Sequence, residues 1–287
     1  MEKNIRKVKE NVWKLEEGDA AYSLKRYKSR STAVKVDYIH NQLHAIQFPH
    51  IVPVLTTEDP MMIMQPWYEG TRPVNFRKRI DRTDSLIALQ ALHATSEQID
   101  WDASPYLHRY QLMDKWKDRL ERFIDNRTTL EKHLGKRAVD EIISYGSLAL
   151  SVLKKTDRKH ADNTLLHGDV VHHNILRDYN NHIRFIDFDL ACTGPTGIEL
   201  ALWVHRVLPN VGYHLDFLFA EQTRLNEMDT ASKAMLLYPN ELLREWLYLL
   251  SLPQENCDRL ARKLIPFTET ALTSWPKLWY DIERSME

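Results

Sequence analysis

Glycine is scarce in this chain of 287 residues: there are eight, and Gly18 is the only one before Gly70. That excludes a collagen-like or glycine-linker composition. It also leaves the N-terminal segment without a glycine-rich loop that could cradle phosphates with backbone amides. Cysteine is nearly absent. Cys192 and Cys257 cannot make a disulfide framework, and two free thiols suit a reducing cytosol. No apolar run reaches the roughly 18 residues of a spanning helix. The opening segment is basic but lacks the apolar stretch of a signal peptide, so a cytoplasmic protein with no membrane partner is expected. An excess of one charge is missing as well. Lys+Arg total 39 and Asp+Glu 40, a balance that argues against nucleic acid or anionic membrane as the main partner. No internal repeat at solenoid or propeller period is visible.

What is present is a hydrophobic fraction of 43%, enough for a core in one large domain or two small ones. The first seventy residues look strand-rich. Residues 12–15 and 20–27 flank the turn Glu16-Glu17-Gly18-Asp19, and residues 50–57 and 61–68 flank Glu58-Asp59-Pro60, so two hairpins are predicted. Between them Val36, Ile39, Leu43 and Ile46 recur at helical spacing. This predicts a small antiparallel sheet with one helix. Ten basic and five acidic residues up to position 36 read first as solvated strand faces, with a phosphate-facing surface as the alternative. After Gly70 the pattern is helical, over 85–94, 107–125 and 136–154, and again from 196 onward with breaks near Pro209, Pro239 and Pro253. Tyr110, Trp116, Leu120, Phe123 and Ile124 share one predicted face. Most of the 8 Trp lie on these helices and read as core anchors rather than a base-stacking platform.

The chemistry is concentrated in a strand-like island, residues 164–191. His167-Gly168-Asp169 is followed five positions after Asp169 by Asn174, and thirteen later by Asp187 in Ile186-Asp187-Phe188-Asp189. The turn Asp178-Tyr179-Asn180-Asn181-His182 makes the intervening stretch a hairpin, which brings Asn174 and Asp187 to one end. Two carboxylates and a carboxamide form a hard oxygen set suited to Mg²⁺ shared with phosphates. Period-two alternation puts Asp189 on Asp187's face, a candidate for a second metal position. A transition-metal reading of His167, Asp169, His172 and His173 lacks the paired ligand spacing such sites use. His172 and His173 are expected on an exposed loop at the cleft. His93 reads as a satisfied helix histidine and Cys192 as a small buried residue.

His-x-Asp-x-x-x-x-Asn with a following Ile-Asp-Phe resembles the protein-kinase arrangement. Gly168 in place of arginine, Asp189 in place of the DFG glycine, and Gly194-Pro195 ahead of Glu199-Leu200-Ala201 are similar to the aminoglycoside phosphotransferase and choline kinase family. Leu89 to His93 and the stretch Gln65-Pro66-Trp67-Tyr68-Glu69-Gly70 resemble its helix and hinge motifs. Tyr22 to Tyr27 and the His-rich loop are nearest to the bacterial spore-coat-associated branch.

The resemblance implies an α+β, protein-kinase-like bilobal fold. A small antiparallel-sheet lobe (1–69) would bind nucleotide, and a large, mostly helical lobe (70–287) would carry catalysis and the acceptor site. It implies ATP (or GTP) and Mg²⁺, with transfer of a phosphoryl group to a small-molecule hydroxyl. Asp169 would take or orient the hydroxyl proton, Asn174 and Asp187 would hold metal, and His167 would orient the loop. Lys25 would meet the α/β-phosphates, with Arg26 pointing to the opposite face. Gln65, Trp67 and Tyr68 would line the base site, and Glu199 would tie its helix to the catalytic loop. Two departures stand out. Residues 38–47 contain no acid to pair with Lys25, leaving Asp37 a turn early and Gln42 uncharged, and no glycine loop covers the phosphates. A catalytically weak scaffold acting through protein partners is therefore the alternative function. A protein kinase is disfavoured, because Glu199 follows Asp187 by only 12 residues and no APE motif is present.

Overall fold

The computed structural model describes residues 3–55, 57–156 and 163–286. The chain falls into two compact units, Met1–Tyr110 with Asp162–Thr196, and Gln111–Ala161 with Gly197–Glu287.

The first unit opens with an antiparallel sheet of four strands in the order β1-β2-β3-β4, namely β1 (Lys3–Lys9), β2 (Val12–Glu17), β3 (Ala20–Arg26) and β4 (Met62–Pro66). Helix α1 (Arg30–Ala45) joins β3 to β4. It buries Val36, Ile39 and Leu43, as the spacing predicts, together with Lys35 and His40, whereas Ile46, expected on the same face, is the half-buried residue that caps the helix. Two features differ from expectation. Strand β1 has no strand signature, because Ile5 and Val8 are three apart and both exposed, at 59% and 47%. Its conformation comes from the ladder with β2, which pairs Ile5 with Leu15 and Lys7 with Trp13. Residues 50–57 do not form the second hairpin's first strand. Pro53 removes a backbone donor, and the segment makes only single bridges, Ile51 with Phe185 and Leu55 with Met64; Thr56 lies outside the described residues.

The rest of this unit comprises β5 (Arg72–Pro73), α2 (Arg79–His93), β6 (Asn163–Leu166), β7 (Ile175–Arg177), β8 (Ile183–Phe185) and β9 (Cys192–Pro195), in sheets β5-β7-β8 and β6-β9. The predicted β7–β8 turn is held by Asp178, whose Oδ1 accepts from the amides of Asn180 and His182, each at 2.9 Å. A buried ion cluster fastens β7 to α2. Asp81 is fully buried and accepts from Arg72 at 2.8 and 3.2 Å, from the Asn75 amide at 2.8 Å and from Arg177 at 2.7 Å.

The second unit is helical: α3 (Leu112–Asp125), α4 (Arg127–Lys155), α5 (Thr196–Val207, from Gly197 on), α6 (Leu215–Glu221), α7 (Thr230–Met235), α8 (Asn240–Leu250) and α9 (Gln254–Met286). Tyr110 precedes α3 and Ile124 is 41% exposed, while Trp116, Leu120 and Phe123 are buried as expected. Gly135 at φ 75 interrupts α4, so the pattern over 136–154 caught only its second part. Trp116, Trp203 and Trp246 are fully buried, and Trp116 stacks on Tyr238 at 4.3 Å. These tryptophans are core anchors. The chain thus has a small antiparallel N-lobe sheet and a larger, mostly helical remainder, an α+β architecture of the bilobal kinase-like type. Among the described residues no helix is long and apolar enough to cross a membrane.

Burial pushes the Asp81 carboxyl up, but hydrogen bonds from Arg72, the Asn75 amide and Arg177 outweigh it and bring its pKa down from 3.8 to about 2. Its contribution to stability is complete above the ordinary carboxylate value and is lost as pH falls toward 2. Asp81→Asn takes from buried Arg177 the closer of its two ion pairs, leaving Asp84 at 2.9 Å, and is expected to lower stability by about 2–3 kcal/mol, below the cost of a fully unpaired buried charge. Urea denaturation at neutral pH checks this.

Candidate active site

Strand β6 delivers His167, Gly168 and Asp169. The His167 ring is fully buried. Its Nε2–H donates to the Ile186 carbonyl at 2.9 Å, and its Nδ1 accepts from the Asp169 amide at 3.3 Å. One neutral tautomer satisfies both, so the imidazole ties the loop bearing Asp169 to the residue before Asp187 and leaves no ring nitrogen for a metal. Gly168 adopts φ +81, and a Cβ there would stand 2.1 Å from the Leu190 carbonyl oxygen. This contact explains glycine between His167 and Asp169. Five residues on, Asn174 Nδ2 donates to the backbone and side-chain oxygens of Asp169, both at 3.1 Å. With its nitrogen so engaged, the carboxamide keeps its oxygen for another partner. The Ile186 amide donates to the Asn174 carbonyl at 3.0 Å, which sets Asn174 beside Asp187.

Asp187 lies in the left-handed region at φ 68, a conformation Asp tolerates better than most residues. A single 3-10 turn, Phe188–Leu190, follows. The period-two argument for Asp189 therefore fails in its premise, since no strand exists here. Asp189 nonetheless meets the same partner through the turn. Lys25 Nζ donates to Asp187 Oδ1 at 2.7 Å and to Asp189 Oδ2 at 2.6 Å, and sits 4.8 Å from the Tyr27 ring centroid. The lysine expected to lack an acid from α1 is thus held by two acids, Asp187 and Asp189, at the turn that follows β8. Asp37 is occupied with Asn41 at 3.0 Å. Arg26 is 59% exposed and lies 3.6 Å from Asp59, away from Lys25.

Two carboxylates share one ammonium at hydrogen-bond distance in a half-buried place. Burial acts to raise Asp187, but the charge and hydrogen bond of Lys25, with smaller help from an Asp189 hydrogen bond and the Lys9 charge, together outweigh it and hold that carboxyl below its ordinary range. Burial, together with the Asp187 charge, raises Asp189. Asp189 Oδ1 is buried with no hydrogen-bond partner. Two neighbouring carboxylates, one with an orphaned buried oxygen, and a carboxamide oxygen fit a hard divalent cation.

A cavity of about 410 Å³ adjoins this group, a volume in the range of small-ligand sites. Apolar Val12, Val36, Val52, Leu176 and Ile186 wall it, and Lys9, Lys25 and Asp187 give it a charged lining. Gln65, Trp67 and Tyr68 also line it. Gln65 Nε2 is fixed on the Val52 carbonyl at 3.0 Å. The Trp67 amide is spent on Ala21 at 2.8 Å and the Tyr68 carbonyl accepts from Thr71, so a base could use only the other backbone groups of this segment. His173 lines the cavity too, and both it and His172 are exposed.

The structure thus gathers Lys25, Gln65, Trp67, Tyr68, His167, Asp169, Asn174, Asp187 and Asp189 within one unit. Glu199 lies in α5 of the other, fully buried. The sequence reading missed Lys9, Tyr27 and His40. Lys9 was hidden with strand β1. His40 sits one helical turn after Val36, a signal the spacing did contain, and burial pushes its pKa down to about 4, so it is neutral.

A profile of the phosphotransferase enzyme family matches residues 3–227, and the chain belongs to that family. No curated protein matches the chain. Solved structures similar to it include an aminoglycoside phosphotransferase from Alicyclobacillus acidocaldarius, with TM-score 0.72, 14% identity and coverage of 99% of this chain and 93% of that one. The AMP-bound spectinomycin phosphotransferase gives TM-score 0.66 and 14% identity over 93% and 92%. A choline/ethanolamine kinase family protein from Mesorhizobium loti gives 0.57 and 12% over 100% and 92%. Such identities establish the shared fold and single out no branch.

Gly168→Ala forces both the backbone strain and the Leu190 clash, and is expected to cost about 2–4 kcal/mol of stability. Gly18→Ala, whose Cβ would meet nothing within 4 Å, is the comparison. A Gly168→Ala unfolding midpoint no lower than that of Gly18→Ala contradicts the packing argument.

Proposed function

We propose that the protein transfers the γ-phosphoryl group of ATP (or GTP) to a hydroxyl of a small molecule, releasing the nucleoside diphosphate and a proton. The observation that carries this reading is the convergence of Lys25, Asp187 and Asp189 on one another, with Asn174 locked to Asp169, beside an apolar cavity. Phosphoryl transfer asks mainly for positioning and charge neutralisation, and these residues supply both. Asp169 accepts the proton of the attacking hydroxyl. Asn174 holds Asp169 through its nitrogen and presents its oxygen, with Asp187 and Asp189, as the metal ligands. Mg²⁺ bound there would offset charge developing on the phosphates. Lys25 contacts the α/β-phosphates, the segment Gln65–Tyr68 contacts the base, and His167 keeps the two loops in register. Glu199 braces the helix it starts. Residues 1–69 are the nucleotide lobe and 70–287 the catalytic and acceptor lobe.

A scaffold that only binds nucleotide has no use for an Asp169 held this way, so transfer is the reading favoured here. Fold similarity does not name the acceptor. The named substrates of the similar structures, aminoglycosides, spectinomycin and choline or ethanolamine, set a panel to which sugars and nucleosides are added.

Nucleoside diphosphate release is measured across that panel with ATP and with GTP. Asp169→Asn is expected to lower turnover by about 10²–10⁴-fold while thermal stabilisation by Mg²⁺–nucleotide persists. Asp187→Asn is expected to abolish the Mg²⁺-dependent part of that stabilisation. Stabilisation by nucleotide with turnover unaffected by Asp169→Asn supports the scaffold instead, and no response to any nucleotide overturns both readings.

A further inference from the structure

Helix α1 offers no acid to Lys25, but it carries a buried cation. Lys35 is 8% exposed. Its Nζ donates to the Asp189 carbonyl at 2.7 Å and to the Ala191 carbonyl at 3.1 Å. These two carbonyls belong to the short turn that begins at Asp187 and closes with the Ala191 amide on the Phe188 carbonyl at 3.0 Å. The same helix meets the turn a second time, where His40 packs edge-on to the Phe188 ring at 5.3 Å. Phe188 in turn lies 4.6 Å from His167. The turn is thus gripped from α1 by one charged and one aromatic contact.

Burying an ammonium is unfavourable unless several acceptors surround it. Two of its acceptors are backbone carbonyls, whose positions are set by the turn and not by a movable side chain. Their engagement has a consequence for the side chains on the same five residues. Asp187 holds a left-handed backbone that needs support from its surroundings, and Asp189 must keep its carboxylate on the ammonium that Asp187 already uses.

We propose that Lys35 is a positioning residue for the metal and phosphate site. It pins the backbone of residues 187–191 to α1, so that the Asp187 and Asp189 carboxylates stay close enough to act on one cation. The helix-to-site link that an acid on α1 would make through Lys25 is made here with opposite polarity, from a lysine on the helix to the backbone of the metal-binding turn. This inference rests on the phosphotransferase reading of the site.

The test uses the full-length protein and two titrations: ATP without metal, then Mg²⁺ at fixed ATP, read by calorimetry. Lys35→Met is expected to raise the Mg²⁺ concentration for half-maximal response by about 10-fold or more, as loss of a residue supporting metal ligands does. Metal-free ATP affinity should stay nearly unchanged, and Lys35→Arg should recover most of the Mg²⁺ response. Lys28→Met, at a lysine with an 80% exposed side chain, should behave as the unaltered protein. Should Lys35→Met fail to fold, Lys35→Gln, which keeps one donor, is held to the same criteria. An unaltered Mg²⁺ response in these variants overturns the inference and leaves the phosphotransferase reading standing. An equal loss of metal-free and metal-dependent binding also overturns it, by showing a general structural role. No Mg²⁺–ATP binding by the unaltered protein overturns the reading beneath it.

Discussion

One ammonium group, that of Lys25, joins two carboxylates that lie 162 and 164 residues away along the chain. An exposed ion pair is worth little, but this one is half-buried, and its two carboxylates repel each other. Two negative groups share one ammonium, and one Asp189 oxygen is buried without a hydrogen-bond partner. Asp187 keeps its charge more readily than an ordinary carboxyl, and Asp189 less readily. A further cation would relieve the repulsion between the two carboxylates, and on the proposed function a divalent metal with its phosphates takes that part.

The surroundings can be read as what this arrangement requires. Asp187 must turn back on itself, which it does in the left-handed region. The loop carrying Asp169 must approach the backbone at Leu190, which it does through Gly168. The two loops must keep one spacing, which His167 enforces with one nitrogen on each. Arg177 and Asp81 then anchor the hairpin that carries Asn174 and Asp187 to α2. Packing, strain and hydrogen bonding all converge on the few residues around the cavity.

Much of this was legible in linear form. Asp169, Asn174 and Asp187 could be read because a short hairpin converts sequence spacing into proximity, and the turn residues that make the hairpin are explicit. Helix α1 was legible from its periodicity, and strands β2, β3 and β4 from their composition and the turn residues that flank them. Strand β1 was not, because its side chains are nearly all exposed and nothing in the alternation marks an inner face. The partner of Lys25 was not legible either. Charge pairing across more than 160 positions leaves no periodic trace, and the residue that brings Asp189 into place is a backbone turn rather than a strand. Lys35 reads in sequence as one more solvated lysine, and its burial is a tertiary fact. In the helical unit, element type was readable while ends moved, since Gly135 and the residues before Leu112 set boundaries that hydrophobic spacing alone does not mark.

The most direct measurement is a crystal structure of the protein with Mg²⁺ and a non-hydrolysable ATP analogue. The account predicts the base between the apolar walls at Val12, Val52 and Ile186, and a metal at about 2.1 Å from the Asn174 side-chain oxygen and an Asp187 carboxylate oxygen. Lys25 would then be shared between Asp187 and the phosphates. A nucleotide bound outside this cavity, or a metal held by His172 and His173 with Asp187 and Asn174 uninvolved, would contradict it.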